Sequence, residues 1–129
     1  MTPTARTLAL LRKRGCCADV VERRLGGTFV TKDLFGCIDV VALEPGALGL
    51  LGVQATTVSN QASRVAKIRR EPRARLWLQA GNRLAVVGWA KRGPRGKRKF
   101  WAASITEVRF NDGQLSFVRE GVSDQAVPV

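Results

Sequence analysis

Apolar and polar residues follow one another in blocks that predict helices and strands in the order α-β-β-β-α-β-β. Residues 3–14 carry leucines along one side and three basic residues at their end, which is typical of a helix. Residues 17–24 favour a first strand, although a helix fits them too. After a Gly-Gly break, residues 28–31 either extend that strand or form part of a hairpin.

Two apolar runs in the middle of the chain predict a pair of strands. Residues 38–43 and 48–56 flank a Glu-Pro-Gly turn signal, so we expect a hairpin. The second run is apolar nearly throughout, which is typical of a central strand covered on both faces.

The next block is basic and has helical periodicity. Residues 61–70 predict a helix that is capped by Ser59 or Asn60 and ended by Pro72. Residues 73–79 fit either a short strand or a turn of helix.

The last third of the chain favours strands. Residues 83–90 and 100–109 predict two strands joined by a basic Gly/Pro loop, residues 91–99. An Asn-Asp-Gly hairpin signal leads into residues 115–118, and residues 121–129 are expected to form a frayed tail.

Together these elements predict one mixed α/β domain over residues 1–129, whose sheet is flanked by helices. Its core spans about residues 4–109, and residues 110–129 add a C-terminal hairpin and tail. A length of 129 residues and a hydrophobic content of 45% suit a single core.

Composition restricts the possible classes of function more than it restricts the possible folds. Lys and Arg number 22 against 10 acids, and a net charge of +12 favours a polyanionic partner, nucleic acid before anionic membrane. The absence of histidine excludes Ser-His, Cys-His and His-metal chemistry. Three cysteines without a CxxC motif indicate a reducing cytoplasm and argue against a zinc site. No apolar run is long enough to predict a membrane span.

Three polar residues interrupt the apolar hairpin. Asp39 lies at the head of the first strand, and Gln54 lies near the end of the second. These ends are neighbours in an antiparallel pair, and Thr56 shares the face of Gln54 because it is two residues away. The pattern predicts an acid, an amide and a hydroxyl at one edge of an apolar sheet.

The helix at residues 3–14, the phrase KDLFGCIDVVAL, the strand LGLLGVQATT and the basic helix SNQASRVAKIRR resemble the PD-(D/E)XK nuclease superfamily. The resemblance is to its Holliday junction resolvase-like and phage-encoded branch, and it implies a restriction-endonuclease-like α-β-β-β-α-β fold. It further implies that Asp39 binds Mg²⁺ or Mn²⁺. The family's acid-x-Lys motif is replaced here by Gln54-Ala55-Thr56.

This departure changes the site that the resemblance implies. Gln54 and the carbonyl of Ala55 can still be metal ligands, but Thr56 brings no positive charge. We expect Asp33 or Glu22 to supply the missing carboxylate. Lys67, and after it Lys32, are the candidates for the missing lysine.

Two basic clusters are candidates for binding DNA phosphates. The first is Arg64, Lys67, Arg69 and Arg70, followed by Arg73 and Arg75; the second is Lys91, Arg92, Arg95, Lys97, Arg98 and Lys99. Trp89 and Trp101 flank the second cluster and either stack on unpaired bases or pack in the core.

Three functions are consistent with these patterns. The first is a metal-dependent, structure-selective DNA endonuclease, which the resemblance implies to be a homodimer acting on branched DNA. The second is a nuclease-fold protein that has lost its chemistry and only binds DNA, which the replaced motif favours. The third is an RNA- or ribosome-associated basic protein, which the charge alone permits.

Overall fold

The computed structural model describes residues 1–27, 30–122 and 127–128. Its first element is helix α1 (Pro3–Lys13). The Oγ1 atom of Thr2 accepts a hydrogen bond of 3.1 Å from the N–H of Ala5, and Pro3 occupies the first turn. Leu10 and Leu11 bury the apolar side that the sequence predicts. The helix ends one residue before the predicted boundary.

Most strands of the described chain belong to one mixed sheet, which has seven strands. Its order is β1-β4-β5-β6-β7-β8, with β9 also paired to β7, while β2 and β3 form a separate pair. The strands are β1 (Cys17–Val20), β2 (Arg23–Arg24), β3 (Thr31–Lys32), β4 (Val40–Leu43), β5 (Leu51–Thr57), β6 (Arg83–Arg92), β7 (Phe100–Asn111), β8 (Gln114–Val122) and β9 (Val127–Pro128).

The predicted central hairpin is present as the antiparallel pair β4–β5, in which Val40 lies opposite Val53. Strand β5 is buried from Gly52 to Thr56, as expected for a central strand. Strand β6 then runs parallel to β5, and parallel neighbours need a crossover connection. A 3₁₀ turn (Val58–Asn60), helix α2 (Gln61–Arg70) and helix α3 (Pro72–Gln79) make that connection.

The sheet buries a different hydrophobic cluster on each face. Helix α1 covers one face, where Val40, Val53 and Trp89 pack with its leucines. The buried Trp89 indole donates to Thr7 Oγ1 at 3.0 Å, which ties α1 to β6. Helices α2 and α3 cover the other face through Ile68 and other buried side chains. The structure confirms a single α/β domain with a mixed sheet, an arrangement compatible with a nuclease-like fold.

Several predicted element bounds are wrong. Residues 17–24 do not form one strand, because the chain leaves the sheet after Val20 and residues 23–24 pair with β3 instead. Residues 73–79, for which a strand was an alternative, form α3. The prediction of a frayed tail over residues 121–129 is wrong in part, because Val127 and Pro128 pair with the start of β7. Residues 28–29, 123–126 and 129 lie outside the described chain.

Candidate metal centre

A tight loop between Asp33 and Asp39 brings the two acids together. Leu34 and Ile38 form an antiparallel bridge, with N–H to carbonyl distances of 2.9 and 3.0 Å in the two directions. Between them the chain turns through left-handed conformations, with φ of 53° at Phe35 and 74° at the following glycine. Asp33 and Asp39 each lie one residue outside the bridge, so they face each other across it.

Glu22 joins the pair from the end of β1. The N–H of Val21 donates to the carbonyl of Asp39 at 2.8 Å, which places the next residue beside the loop. One carboxylate oxygen from each of Glu22, Asp33 and Asp39 lies within 4.8 Å of the others. The structure therefore brings together Asp39 and both acids that the sequence offered as candidates for the missing carboxylate.

Gln54 lies opposite Asp39 in the extended β4–β5 register and binds both aspartates. Its Nε2 atom donates to Asp39 Oδ2 at 2.7 Å and to Asp33 Oδ2 at 3.3 Å. The N–H of Ala55 also donates to Asp39 Oδ2, at 2.8 Å. Gln54 is 2% exposed, and its Oε1 atom is buried without a hydrogen-bond partner among the residues that the structure describes.

Burial and mutual repulsion shift the pKa values of the three acids. Burial raises the pKa of Asp39 to about 8, and the neighbouring Asp33 adds to the rise. Burial by itself would raise the pKa of Asp33, but hydrogen bonds with Asp39 and Lys67 hold it below its usual range. The pKa of Glu22 is raised by burial and then by Asp33. At neutral pH and without a metal ion, Asp39 therefore carries a proton, which a bound metal would replace.

Lys67 reaches this cluster from helix α2. Its Nζ atom lies 3.2 Å from Asp33 Oδ2. The structure thus places at the site the candidate that the sequence favoured for the missing lysine. Lys32 lies on the exposed strand β3, and Thr56 is buried on the α2 face of β5, two residues after Gln54.

The donor set fits a hard divalent cation. Three carboxylates and a glutamine amide are the oxygen ligands that Mg²⁺ and Mn²⁺ prefer. Rotating the Gln54 amide by half a turn would bring the unpartnered Oε1 towards the acids as a further ligand. The N–H and carbonyl of one strand residue point to the same neighbouring strand, so the Ala55 carbonyl is on the same edge as Asp39.

The predicted phosphate-binding residues divide between helix α2, the end of β6 and the β6–β7 loop. Lys91 and Arg92 belong to β6, so the loop is shorter than the predicted residues 91–99. Exposed side chains in these three segments are Arg69, Arg70, Lys91, Arg92, Arg95, Lys97 and Arg98. Lys99 closes the loop instead, because its Nζ donates to the carbonyls of Gly93 and Pro94 at 2.7 and 3.1 Å. The loop leaves β6 after Arg92, beyond the last pair with β5, which joins Trp89 to Thr57. The acid cluster is at the level of Gln54, whose β6 partner is Val86, so the loop lies further along the direction in which β5 and β6 run.

The two tryptophans beside this loop differ in exposure. Trp89 is 1% exposed and packs in the core, so its stacking on bases is excluded in this conformation. Trp101 is half-buried, and the guanidinium of Arg6 lies 3.7 Å from its ring centroid. The sequence does not predict this contact, because no local pattern links a helix residue to a strand so far along the chain.

Comparisons with protein-family models, with curated proteins and with solved structures gave no match. The nuclease resemblance therefore remains a prediction. Within the described residues, no helix combines the length and apolarity needed to cross a membrane.

Proposed function

We propose that this chain is a metal-dependent DNA endonuclease whose metal is Mg²⁺ or Mn²⁺. The observation that carries the proposal is the cluster of Glu22, Asp33 and Asp39, with ligand oxygens within 4.8 Å of one another at the edge of a strongly basic domain. Buried Asp39 and half-buried Glu22 and Asp33 repel one another at this separation, and a divalent cation removes that repulsion. The nuclease resemblance independently assigns a metal to Asp39.

Each residue of the site has a separate role in this proposal. Asp39, Asp33 and Glu22 would hold the cation, and Gln54 and the Ala55 carbonyl would complete the ligand set. Lys67 balances the charge of Asp33 and orients its carboxylate. A bound Mg²⁺ or Mn²⁺ would lower the pKa of a bound water and stabilise charge on the phosphate.

The proposed substrate is DNA, bound through its phosphates by α2 and the β6–β7 loop. A preference for branched DNA and a homodimeric state both rest on the resolvase-like resemblance, since cutting two strands of a junction needs two sites. A reducing cytoplasm, of a cell or of a phage-infected host, is the proposed setting, and the free cysteines Cys16, Cys17 and Cys37 support it.

The test compares cleavage of branched and linear DNA in Mg²⁺ and Mn²⁺ by the wild type and by Asp39→Asn. Asparagine keeps an oxygen acceptor for Ala55 and Gln54 but removes the charge that holds the cation. We expect wild-type cleavage that stops on chelation and falls at least about 100-fold in the variant. Cleavage that persists in Asp39→Asn would show that the site lies elsewhere.

One observation favours a second candidate, a DNA-binding protein without hydrolytic activity. The Gln54 amide donates to both aspartates, so it partly satisfies them without a cation. Salt-sensitive DNA binding without cleavage or Mn²⁺ binding would support this alternative. Tighter binding to structured RNA than to any DNA would instead favour an RNA-associated protein.

A further inference from the structure

Arg64 is a second basic side chain of helix α2 on the side that faces the acid cluster. Its Nε atom is buried and has no hydrogen-bond partner within the described part of the chain. An unpaired buried donor is costly, and the cost is larger for a charged group. Lys67, in contrast, already has Asp33 as its partner.

Contacts made by its neighbours fix the direction in which Arg64 points. Residues three apart share one side of a helix, so Arg64 lies on the same side as Lys67, one turn nearer the start of α2. Arg69 is rotated from Arg64 by about 140°, and its guanidinium lies 4.5 Å from the ring centroid of Phe117, towards β8.

The height of Arg64 above the sheet follows from Gln61 in the first turn of α2. Its Nε2 lies 3.3 Å from the carbonyl of Val86, which is the β6 partner of Gln54. The same Nε2 lies 2.8 Å from the carbonyl of Ser104 on β7, so the first turn of α2 lies over β6 and β7, between the levels of Gln54 and Thr56. The unpartnered Nε of Arg64 and the unpartnered Oε1 of Gln54 both belong to this layer, one a donor and the other an acceptor.

From this arrangement we infer that Arg64 binds the phosphate on which the metal centre acts. Its guanidinium donates to a non-bridging phosphate oxygen and supplies the positive charge that Thr56 cannot. Arginine suits this role because its planar donors match phosphate geometry and its charge persists at any working pH. The inference rests on the proposed metal site and assigns that site a phosphate ligand.

The first test measures the affinity of the Mn²⁺-loaded protein for thymidine 5′-monophosphate by calorimetry. The variants are Arg64→Gln and Arg64→Lys, and Arg119→Gln is a control that removes the same charge from an exposed position on β8, at the opposite edge of the sheet from β1. We expect Arg64→Gln to weaken nucleotide binding about tenfold and Arg64→Lys to weaken it less. Arg119→Gln should change the affinity by less than about threefold, through screened charge alone. Mn²⁺ binding without nucleotide is measured in each variant to show that the acid cluster is intact.

A second measurement separates this inference from the proposed hydrolysis. On saturating DNA, Arg64→Gln should still lower the cleavage rate, by about 100-fold, because the guanidinium also stabilises charge that develops on the phosphate; free guanidinium should restore part of the rate in Arg64→Ala. Equal nucleotide affinity in Arg64→Gln and the wild type would overturn the role of Arg64. Loss of nucleotide binding in Arg64→Gln, with no DNA cleavage by the wild type, would support Arg64 while removing the hydrolytic function. Failure of the wild type to bind Mn²⁺ would overturn both.

Discussion

Replacing Asp39 by asparagine should change how stability depends on pH when no metal is bound. The folded state raises the pKa of Asp39 to about 8 from an ordinary value of 3.8. Between these values the folded protein holds a proton that the unfolded chain releases. Stability is therefore highest below the unfolded pKa and falls as pH rises towards the folded pKa.

The groups that face Asp39 set the size of this effect. A full proton difference changes the free energy of unfolding by about 1.4 kcal/mol per pH unit. Glu22 acts in the same direction, because its pKa is also raised. The lowered pKa of Asp33 adds stability above its ordinary value of 3.8, so it contributes little slope above about pH 5. Between pH 5.5 and 7.5 we expect the wild type to lose about 2 kcal/mol.

Urea denaturation in EDTA at pH 5.5, 6.5 and 7.5 measures this slope. Asp39→Asn keeps acceptors for Ala55 and Gln54, so it should fold and lose most of the pH dependence. Adding Mn²⁺ at 100 times its dissociation constant should stabilise the wild type by about 2.7 kcal/mol and the variant much less. Wild-type stability that is flat or rises over this range, or an equal slope in the variant, would refute the assignment of the shared proton to this site.

Three further predictions concern the site, the backbone and the basic loop. Gln54→Glu replaces a donor 2.7 Å from Asp39 Oδ2 by an acid, so it should destabilise the protein in EDTA at pH 7.5 and raise Mn²⁺ affinity; a rise in metal-free stability would contradict the donor role. Gly49→Ala should cost at least about 2 kcal/mol in urea denaturation, because its Cβ would lie 2.1 Å from the Gly81 carbonyl oxygen. Gly46→Ala, which also has positive φ but open space, should cost only about 1 kcal/mol, and equal losses would refute the steric argument. Three basic side chains of the loop can be neutralised together: Arg95, Lys97 and Arg98. Their loss should reduce the steepness of log affinity for duplex DNA against log salt concentration by about 2 to 3, and an unchanged slope would exclude the loop from phosphate binding.

The sequence predicted part of the site because that part depends on local pattern. Asp39 and Gln54 were expected to meet, since a short turn between two apolar runs places the ends of a hairpin side by side. Glu22 and Asp33, in contrast, were only candidate ligands from the sequence. They lie outside the sheet strands, in segments whose path is set by the Leu34–Ile38 bridge and the Val21 contact rather than by periodicity.

The elements that the sequence by itself determined are those with strong local signals. These are the Thr2-capped first helix, the basic helix over residues 61–70 and the Asn-Asp-Gly turn, in which Asp112 adopts φ of 53°. Tertiary structure decided that residues 73–79 form a helix and not a strand. A short apolar segment has no clear hydrophobic period, so its packing against the sheet selects between the two. Packing also decided the roles of the polar groups: Trp89 is held in the core by Thr7, while the buried Nε of Arg64 has no hydrogen-bond partner among the described residues. Such roles depend on which side chains meet across distant segments, and that information is absent from the spacing along the chain.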